Sequence, residues 1–452
     1  MSSHPNIKGA IQKILDSGVD VSTEDLLPYS VDGQRPDMLI SPSTVEEISQ
    51  VLSLALEERQ AVVPWGGGTQ MGLGNPLRRG DMALRLSSLD KVREHQPADL
   101  TVTVEAGITL SNLQAYLAPF GQHLPLDAPL PHRATIGGVL AANTGGPRSL
   151  FYGLARDLLI GIKVVHADGK ITKGGGRVVK NVAGYDMNKL YIGSLGTLGV
   201  IVEATFKIAP LPKAEATVIV PLDNSDIATQ LPLDIRSSSW RPLAMELLSG
   251  MASERLDKDC PADLPGSSFA LVVQLGGMAK AVARQVEELK GVCSTKGVSY
   301  QVLEEQDQQK ELWRAIGDFG RTEKDVPIMI LKKGVLPTDV GKLLEELPPL
   351  ADRYGLRQAT ISRAGRGVAY SYWWSAGNTD GMEDSLVTLI GGLRGLTDKL
   401  GGTVVVESCP LAVKERVDVW GASKDEERLM RRIKEQFDPQ GVLNPGRFVG
   451  GL

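Results

Sequence analysis

Apolar residues along the chain recur at two spacings. In "TVEEISQVLSLALEERQ" they fall three and four apart, the repeat of an amphipathic helix, with Thr44 or Ser43 placed to cap it and Glu46 and Glu47 in its first turn. "DMALRLSSL" and "LTVTVEAGI" read as strands, and a helix near "TLSNLQAYLAPFG" stops at Gly121, where a left-handed cap is expected. "LPLDAPLPHRATIGGVLAANTGG" reads as a long turn-rich segment interrupted by one apolar stretch. "LLIGIKVVHADG" follows as a strand and turn, and "LGVIVEATFKIAP" as a strand pair. Through residue 210 the pattern is α+β with many short strands. From "EATVIVPL" onward the helices lengthen: "MAKAVARQVEELKGVCSTKG" and "DSLVTLIGGLRGLTDKLGG" are helical by period, while "FALVVQLGG", "VPIMILKKG" and "GTVVVESCP" are strand-like. The change of texture predicts a second α+β domain over roughly residues 213 to 410. A helix in "KDEERLMRRIKEQFD" and a turn at "DPQGVLNPGRF" close the chain. No heptads, tandem repeats or low-complexity tracts interrupt this order.

Composition narrows the chemistry more than the fold. With 452 residues, 42% hydrophobic and 23% charged, the chain has the balance of a globular protein of two or three domains. A net charge of -5 gives no electrostatic footprint for nucleic acid or an anionic membrane. The amino-terminal stretch lacks a signal-peptide pattern, and no apolar run is long enough to span a bilayer, so a cytoplasmic location without membrane insertion is expected. Cys260, Cys293 and Cys409 form no C-x-x-C pair and offer neither a disulfide framework nor a cluster site; buried thiols are expected. The five histidines are His4, His95, His123, His132 and His166, so any imidazole base or metal ligand would come from the first third of the chain. His132 is expected to be an exposed loop residue.

The densest local signal is "VVPWGGGTQMGLG", residues 62–74. Glycine lets main-chain N–H groups approach a ligand closely, and such loops commonly cradle phosphates. A Rossmann reading fails, because "NPLRRGDMALRL" follows instead of a helix. From this segment alone a glycine-rich hairpin without a ligand remains equally open. Four ordered segments decide otherwise: "PWGGGTQMGLG", "ATIGGVLAANTGG", "KNVAGYDMNKLYIGSLGTLGVI" and "FDPQGVLNPGRF". Together they resemble the FAD-binding oxidoreductases of the vanillyl-alcohol oxidase and p-cresol methylhydroxylase superfamily, and most of all the FAD-binding subunits of glycolate oxidase and the related D-lactate dehydrogenases.

The resemblance implies an α+β fold: a two-subdomain FAD-binding domain of the p-cresol methylhydroxylase type and an α+β cap domain over the isoalloxazine. It divides the chain into an N-terminal helical segment (1–35), the FAD-binding domain (36–212), the cap (213–410) and a C-terminal segment (411–452) that returns to the FAD domain. It places the amides of Gly66, Gly67, Gly68, Thr69 and Gln70 on the pyrophosphate. Thr135, Ile136, Gly137, Gly138, Asn143 and Gly145 are placed along the pyrophosphate and ribityl chain. Gly193, Gly196, Val200 and Ile201 border the flavin, Val200 or Ile201 through backbone groups, and Asn444 closes the site. Singly, each of these has a plain reading as a turn or core residue; the joint pattern carries the assignment.

For the chemistry, the resemblance implies oxidation of a 2-hydroxy acid, which needs a base for the hydroxyl proton and a cation for the carboxylate. Relatives often supply these from an H-x-G-D-G-N-x-H stretch and a later Glu-His pair that can hold a divalent metal. Here the corresponding stretches read "ISRAGRGVAYSYWW" and "VVESCP", and guanidinium cannot ligate a metal, so no metal is expected. Arg321, Arg363 or Arg366 could fix a carboxylate, and Tyr370 or Tyr372 could act as acid or base. The alternatives are surface ion pairing for the arginines and packing for the tyrosines. The lost histidines, and Leu195 where catalytic subunits typically have Glu, favour an accessory or electron-transferring flavoprotein subunit, paired with a second flavoprotein and an iron–sulfur subunit. A stand-alone metal-free dehydrogenase of glycolate or D-lactate, and a flavin-free scaffold on the same fold, are the other readings.

Relatives that tether flavin commonly use a His in the glycine loop or the cap. Thr69, Gln70 and Met71 occupy the loop, and no histidine follows His166. The FAD is therefore expected to be noncovalent. Acid precipitation of the yellow protein should leave the flavin absorbance in the supernatant; colour retained by the pellet would contradict this.

Overall fold

Residues 20–176, 186–258, 260, 262–303, 305–377, 381–421 and 426–452 are described by a computed structural model. The expected N-terminal helical segment falls largely on residues 1–19, and much of "KNVAGYD" on 177–185; both stretches lie outside the described residues. The chain divides into two units, one of Met1–Gly145, Leu154–Pro210 and Ala422–Leu452, the other of Gly146–Gly153 and Leu211–Gly421.

Two sheets organise the first unit. Strands β1 (Asp20–Ser22), β2 (Met38–Ser41), β3 (Val62–Trp65) and β4 (Met82–Arg85) lie in the order β1-β2-β4-β3, with β2, β4 and β3 parallel. The run Met38 to Ser41 is buried throughout, as parallel strands covered on both faces require. The crossover is the helix Val45–Glu57, whose N-cap Thr44 accepts the Glu47 N–H at 3.2 Å.

The second sheet is antiparallel. It comprises β5 (Val92–Gln96), β6 (Thr101–Glu105), β8 (Leu159–Val165), β9 (Ile171–Gly175) and β10 (Val200–Lys207), in the order β5-β6-β10-β8-β9. The short strands β7 (Gln122–His123) and β11 (Ala209–Pro210) pair with each other. "LGVIVEATFKIAP", read as a strand pair, is thus one long strand followed by two residues of another. β10 serves two cores: Val200 and Val202 pack with the first sheet, Ile201, Ala204 and Phe206 with the second.

One element departs from the sequence pattern. The segment read as turn-rich contains the helix Ile136–Ala142, capped by Thr135, whose hydroxyl accepts the Gly138 N–H. Two adjacent glycines argue against a helix on propensity alone. Close packing reverses that: a Cβ on Gly137 would stand 2.8 Å from the Ala106 Cβ, so only glycine lets the helix meet the residue that follows β6 so closely.

The second unit is built on a single eight-stranded antiparallel sheet. β12 (Ala214–Leu222), β13 (Ala244–Ser249), β14 (Phe269–Gly277), β15 (Gln301–Leu303), β16 (Met329–Gly334), β17 (Leu356–Arg363), β18 (Val368–Ser375) and β19 (Thr403–Ser408) take the order β15-β12-β14-β13-β17-β18-β16-β19. On one face lie the helices Ser225–Ser237, Ala279–Thr295, Val340–Arg353 and Glu383–Lys399, over Val218, Val273, Leu331 and Trp373. On the other, Gly250–Asp257 and Gln306–Asp318 pack over Ile330, Ile361, Tyr370 and Tyr372.

Lys333 is fully buried on the first of these faces, its Nζ donating to Ser371 Oγ, which also accepts from Trp373 Nε1 at 2.8 Å. Burial pulls its amine down from 10.5 to about 7. In the unfolded chain the amine keeps its proton to about pH 10.5, in the folded chain only to about pH 7. The unfolded state therefore binds the extra proton between those limits, so stability rises with pH through that window and the full penalty applies below it. Lys333→Met should flatten this rise and stabilise the protein at pH 7 by on the order of 3 kcal/mol, measured by urea denaturation across that pH range.

Candidate functional site

The glycine loop and the capped helix meet in a cleft of the first unit. Its walls include Gly66, Gly67, Gly68, Thr69, Gln70, Thr135, Gly138 and Asn444, together with Pro64, Met71, Ala141, Ala142, Leu195 and Arg447. The approach of the loop to the helix cap is as close as backbone permits. A Cβ on Gly66 would lie 2.2 Å from Thr135 Oγ1, and one on Gly67 would lie 1.7 Å from the Arg133 carbonyl oxygen. Gly68 turns through φ +70 against the Trp65 ring. Among the described residues, the main-chain N–H groups of Gly66 to Gln70 donate to no protein acceptor. Successive amides left unpaired in a half-buried loop form a partial positive nest suited to a phosphate.

The remaining residues expected at the flavin divide into four groups. Ile136 and Gly137 are buried behind the cleft wall, Gly137 donating its N–H to the Ala106 carbonyl at 2.7 Å. Asn143 ends the helix in the left-handed region, beside Gly193, while Gly193 and Leu195 donate back to the Leu140 and Ala141 carbonyls. Gly196 stands next to Pro64 and the Asn444 amide, and Gly145 is buried. The side chains of Val200 and Ile201 are core residues, which leaves only their backbone to border a ligand. The carboxamide oxygens of Asn143 and Asn444 are buried acceptors with no hydrogen-bond partner among the described residues. His132 is exposed, as expected.

A clasp from the C-terminal segment holds this arrangement. Val442 and Asn444 bond to the backbone of Val62, adding a parallel rung beside β3. Buried Lys434 donates to Asp438 at 2.5 Å, to the Thr197 carbonyl at 2.8 Å and to the Leu443 carbonyl at 3.0 Å. Asp438 in turn accepts the N–H groups of Val442 and Leu443. Asn444 donates to the Leu195 carbonyl at 2.6 Å. Arg447 donates to the carbonyls of Met71 and Leu73 and faces Asp32 at 3.7 Å. Burial brings the Arg447 guanidinium down to about 10, with Asp32 opposing, so it remains a cation at neutral pH and lines the cleft. Lys434, Asp438 and Arg447 were not singled out from the sequence. The available signal was the i, i+4 spacing of Lys434 and Asp438 just before the "NPGRF" turn.

The expected substrate-handling residues lie in the second unit, and four of the five converge. Arg321, Arg363, Tyr370 and Tyr372 gather on one face of the large sheet with Glu246 and Glu407. Arg321 Nη2 donates to Glu407, Arg363 Nε stands 3.7 Å from Glu246, and the Arg363 guanidinium lies 4.9 Å from the Tyr370 ring centre. These are buried contacts: Arg321 and Glu407 side chains are 11% and 10% exposed, and Glu246 1%. Surface ion pairing therefore does not describe them. Half-buried Lys332 adds a third cation, 5.9 Å from the same ring. Burial drives the Tyr372 hydroxyl far above its usual range, so it stays protonated. Burial also acts against the Arg321 charge, but Glu407 and the two tyrosines outweigh it; for Arg363, Tyr370 and Glu246 do the same. Arg366 does not join this cluster; its Nη1 donates to the Ser149 carbonyl at 2.5 Å. Among the described residues no group of three or more His, Cys, Asp or Glu could hold a metal ion.

Residues 36–175 match a family described as an FAD binding domain, and residues 211–448, more than half of the chain, match one described as FAD linked oxidases, C-terminal domain. The chain belongs to the FAD-linked oxidases. It is 30% identical over 443 residues to the glycolate oxidase subunit GlcD of Bacillus subtilis, covering 95% of this chain and 93% of that one. It is 28% identical to a D-lactate dehydrogenase of Archaeoglobus fulgidus, covering 92% of each. In fold it is similar to p-cresol methylhydroxylase, with a TM-score of 0.79 at 16% identity over 98% of this chain and 96% of that one. The cofactor of this FAD-linked oxidase is FAD, and the cleft fits it: unpaired amides for the diphosphate, a buried cation beside them, and two orphan carboxamide oxygens near the glycine turns.

Because the Gly67 position has no room for a methyl group, Gly67→Ala should push the loop off the helix cap. The variant should bind FAD about ten-fold or more weakly, read from the quenching of flavin fluorescence on titration, with the far-ultraviolet circular dichroism unchanged.

Proposed function

We propose that this FAD-linked oxidase oxidises a small 2-hydroxy acid, with the substrate carboxylate held by guanidinium instead of a metal. The observation that carries the reading is the convergence of Arg321, Arg363, Tyr370 and Tyr372 on one face of one sheet. Gly66 to Gln70, Thr135, Gly138 and Asn444 would hold FAD, which would supply the acceptor for the α-hydrogen. The chain's own residues would do the rest. A planar guanidinium matches a carboxylate with two parallel hydrogen bonds, and the three cations of the cluster exceed its two carboxylates. Tyr372, kept protonated by burial, would donate a hydrogen bond and would not act as the base. Glu246 and Glu407 are the groups of the right type to take the hydroxyl proton. The names of the relatives, glycolate oxidase and D-lactate dehydrogenase, support this substrate class.

A second reading is favoured by the same ion pairs. Arg321 and Arg363 already face Glu407 and Glu246, as they would in an accessory flavoprotein whose site has become structural. The "subunit" in the GlcD name supports a complex, for which the partners would be a second flavoprotein and an iron–sulfur subunit in the cytoplasm. No described helix is long and apolar enough to cross a membrane.

Anaerobic mixing of the isolated FAD-loaded chain with D-lactate or glycolate should bleach the flavin, with no effect of a chelator. Arg363→Ala should raise KM about 100-fold. Flavin that stays oxidised alone and is reduced only after the partner subunits are added would select the accessory reading.

A further inference from the structure

A second concavity lies within the second unit and shares no residue with the polar cluster on the sheet. This cleft, of about 640 Å³, is lined by eleven residues, three of them the arginines Arg236, Arg241 and Arg366, and none an Asp or Glu. In a chain of net charge -5, three guanidinia in one hollow without a lining carboxylate make a local positive field. Two of the guanidinia are oriented by backbone. Arg236 Nη1 donates to the Gly365 carbonyl at 2.8 Å, and Arg366 Nη1 to the Ser149 carbonyl at 2.5 Å. For Arg236 the carbonyl fixes the guanidinium without cancelling its charge. Arg241 is exposed on the same wall.

Aromatic surface completes the lining. Trp240 donates its Nε1–H to Glu288 at 2.5 Å, which pins the indole, and Phe151 is 46% exposed although it is a large apolar ring. Met245, almost wholly buried, contributes apolar floor. The volume lies within the range of small-molecule sites. Guanidinium forks match phosphate oxygens in bidentate fashion, and a planar base finds an aromatic wall beside them.

We propose that this cleft binds a nucleoside phosphate, its phosphates on Arg236, Arg241 and Arg366 and its base against Trp240 and Phe151. The ligand is distinct from the FAD, whose cleft is formed by the first unit, and from the 2-hydroxy acid assigned to the Arg321 and Arg363 cluster.

The test is calorimetric titration of the full FAD-loaded chain, in chelator, with ATP, AMP and inorganic pyrophosphate as separate probes. Loading with FAD keeps the probes out of the glycine-loop cleft. ATP should bind saturably with a Kd below about 1 mM, and more weakly as salt is raised. Arg241→Ala, at an exposed position, should weaken ATP about 10-fold, and Arg236→Ala with Arg241→Ala about 100-fold, with flavin content and spectrum unchanged. Pyrophosphate should bind more weakly than ATP. Absence of saturable ATP binding, or equal binding by the Arg241→Ala protein, would overturn the proposal. Pyrophosphate binding as tight as ATP would overturn the base contact.

Discussion

The buried pair of Lys434 and Asp438 is the interaction on which the glycine-loop cleft depends. An ammonium taken from water is tolerable only when every proton finds an acceptor, and here the amine reaches one carboxylate and two carbonyls. One of those carbonyls belongs to Thr197 in "GSLGTLG", the other to Leu443 in the terminal turn, so the pair ties two distant motifs together. Arg447 extends the tie to the glycine loop through Met71 and Leu73. A loop with so many glycines has much conformational freedom to lose, and its amides would not stay unpaired and aligned without such external restraint. The clasp supplies that restraint from the end of the chain furthest in sequence from the loop.

Strain at the same place has a matching explanation. Asn143, Leu195 and Asn444 all adopt positive φ, with values of 50, 51 and 44. A left-handed leucine is unfavourable, and it persists because its N–H is held by Ala141 and its carbonyl by Asn444. The cleft is therefore shaped by residues whose backbone is fixed from both sides. That rigidity suits a ligand held by main-chain amides, where small displacements lose hydrogen bonds.

In the second unit, the two-residue period of a strand separates two polar systems across one sheet. On β18, Ser371 and Trp373 face the Lys333 side, while Tyr370 and Tyr372 face the arginine cluster. That second face carries a network of guanidinium and carboxylate, and the low-dielectric setting makes each such pair strong and each unpaired charge costly. This is why four candidate residues scattered from Arg321 to Tyr372 are found together, whereas Arg366, one turn further along the hairpin, is bound to the Ser149 carbonyl instead.

By itself the sequence determined the local elements and the cofactor. Hydrophobic period set the helices Val45–Glu57, Ala279–Thr295 and Glu383–Lys399 and most of the strands, because those elements bury one face each and their pattern is local. Four ordered motifs pointed to FAD. What only the tertiary structure decided were the helix Ile136–Ala142, the C-terminal clasp, the burial of the arginine pairs and the arginine-lined cleft. Each depends on residues far apart in the chain meeting at contact distance: Gly137 against Ala106, Lys434 against Thr197, Arg321 against Glu407, Arg236 against Gly365. Propensity and periodicity report a residue's neighbours along the chain, and these features were fixed by neighbours in space.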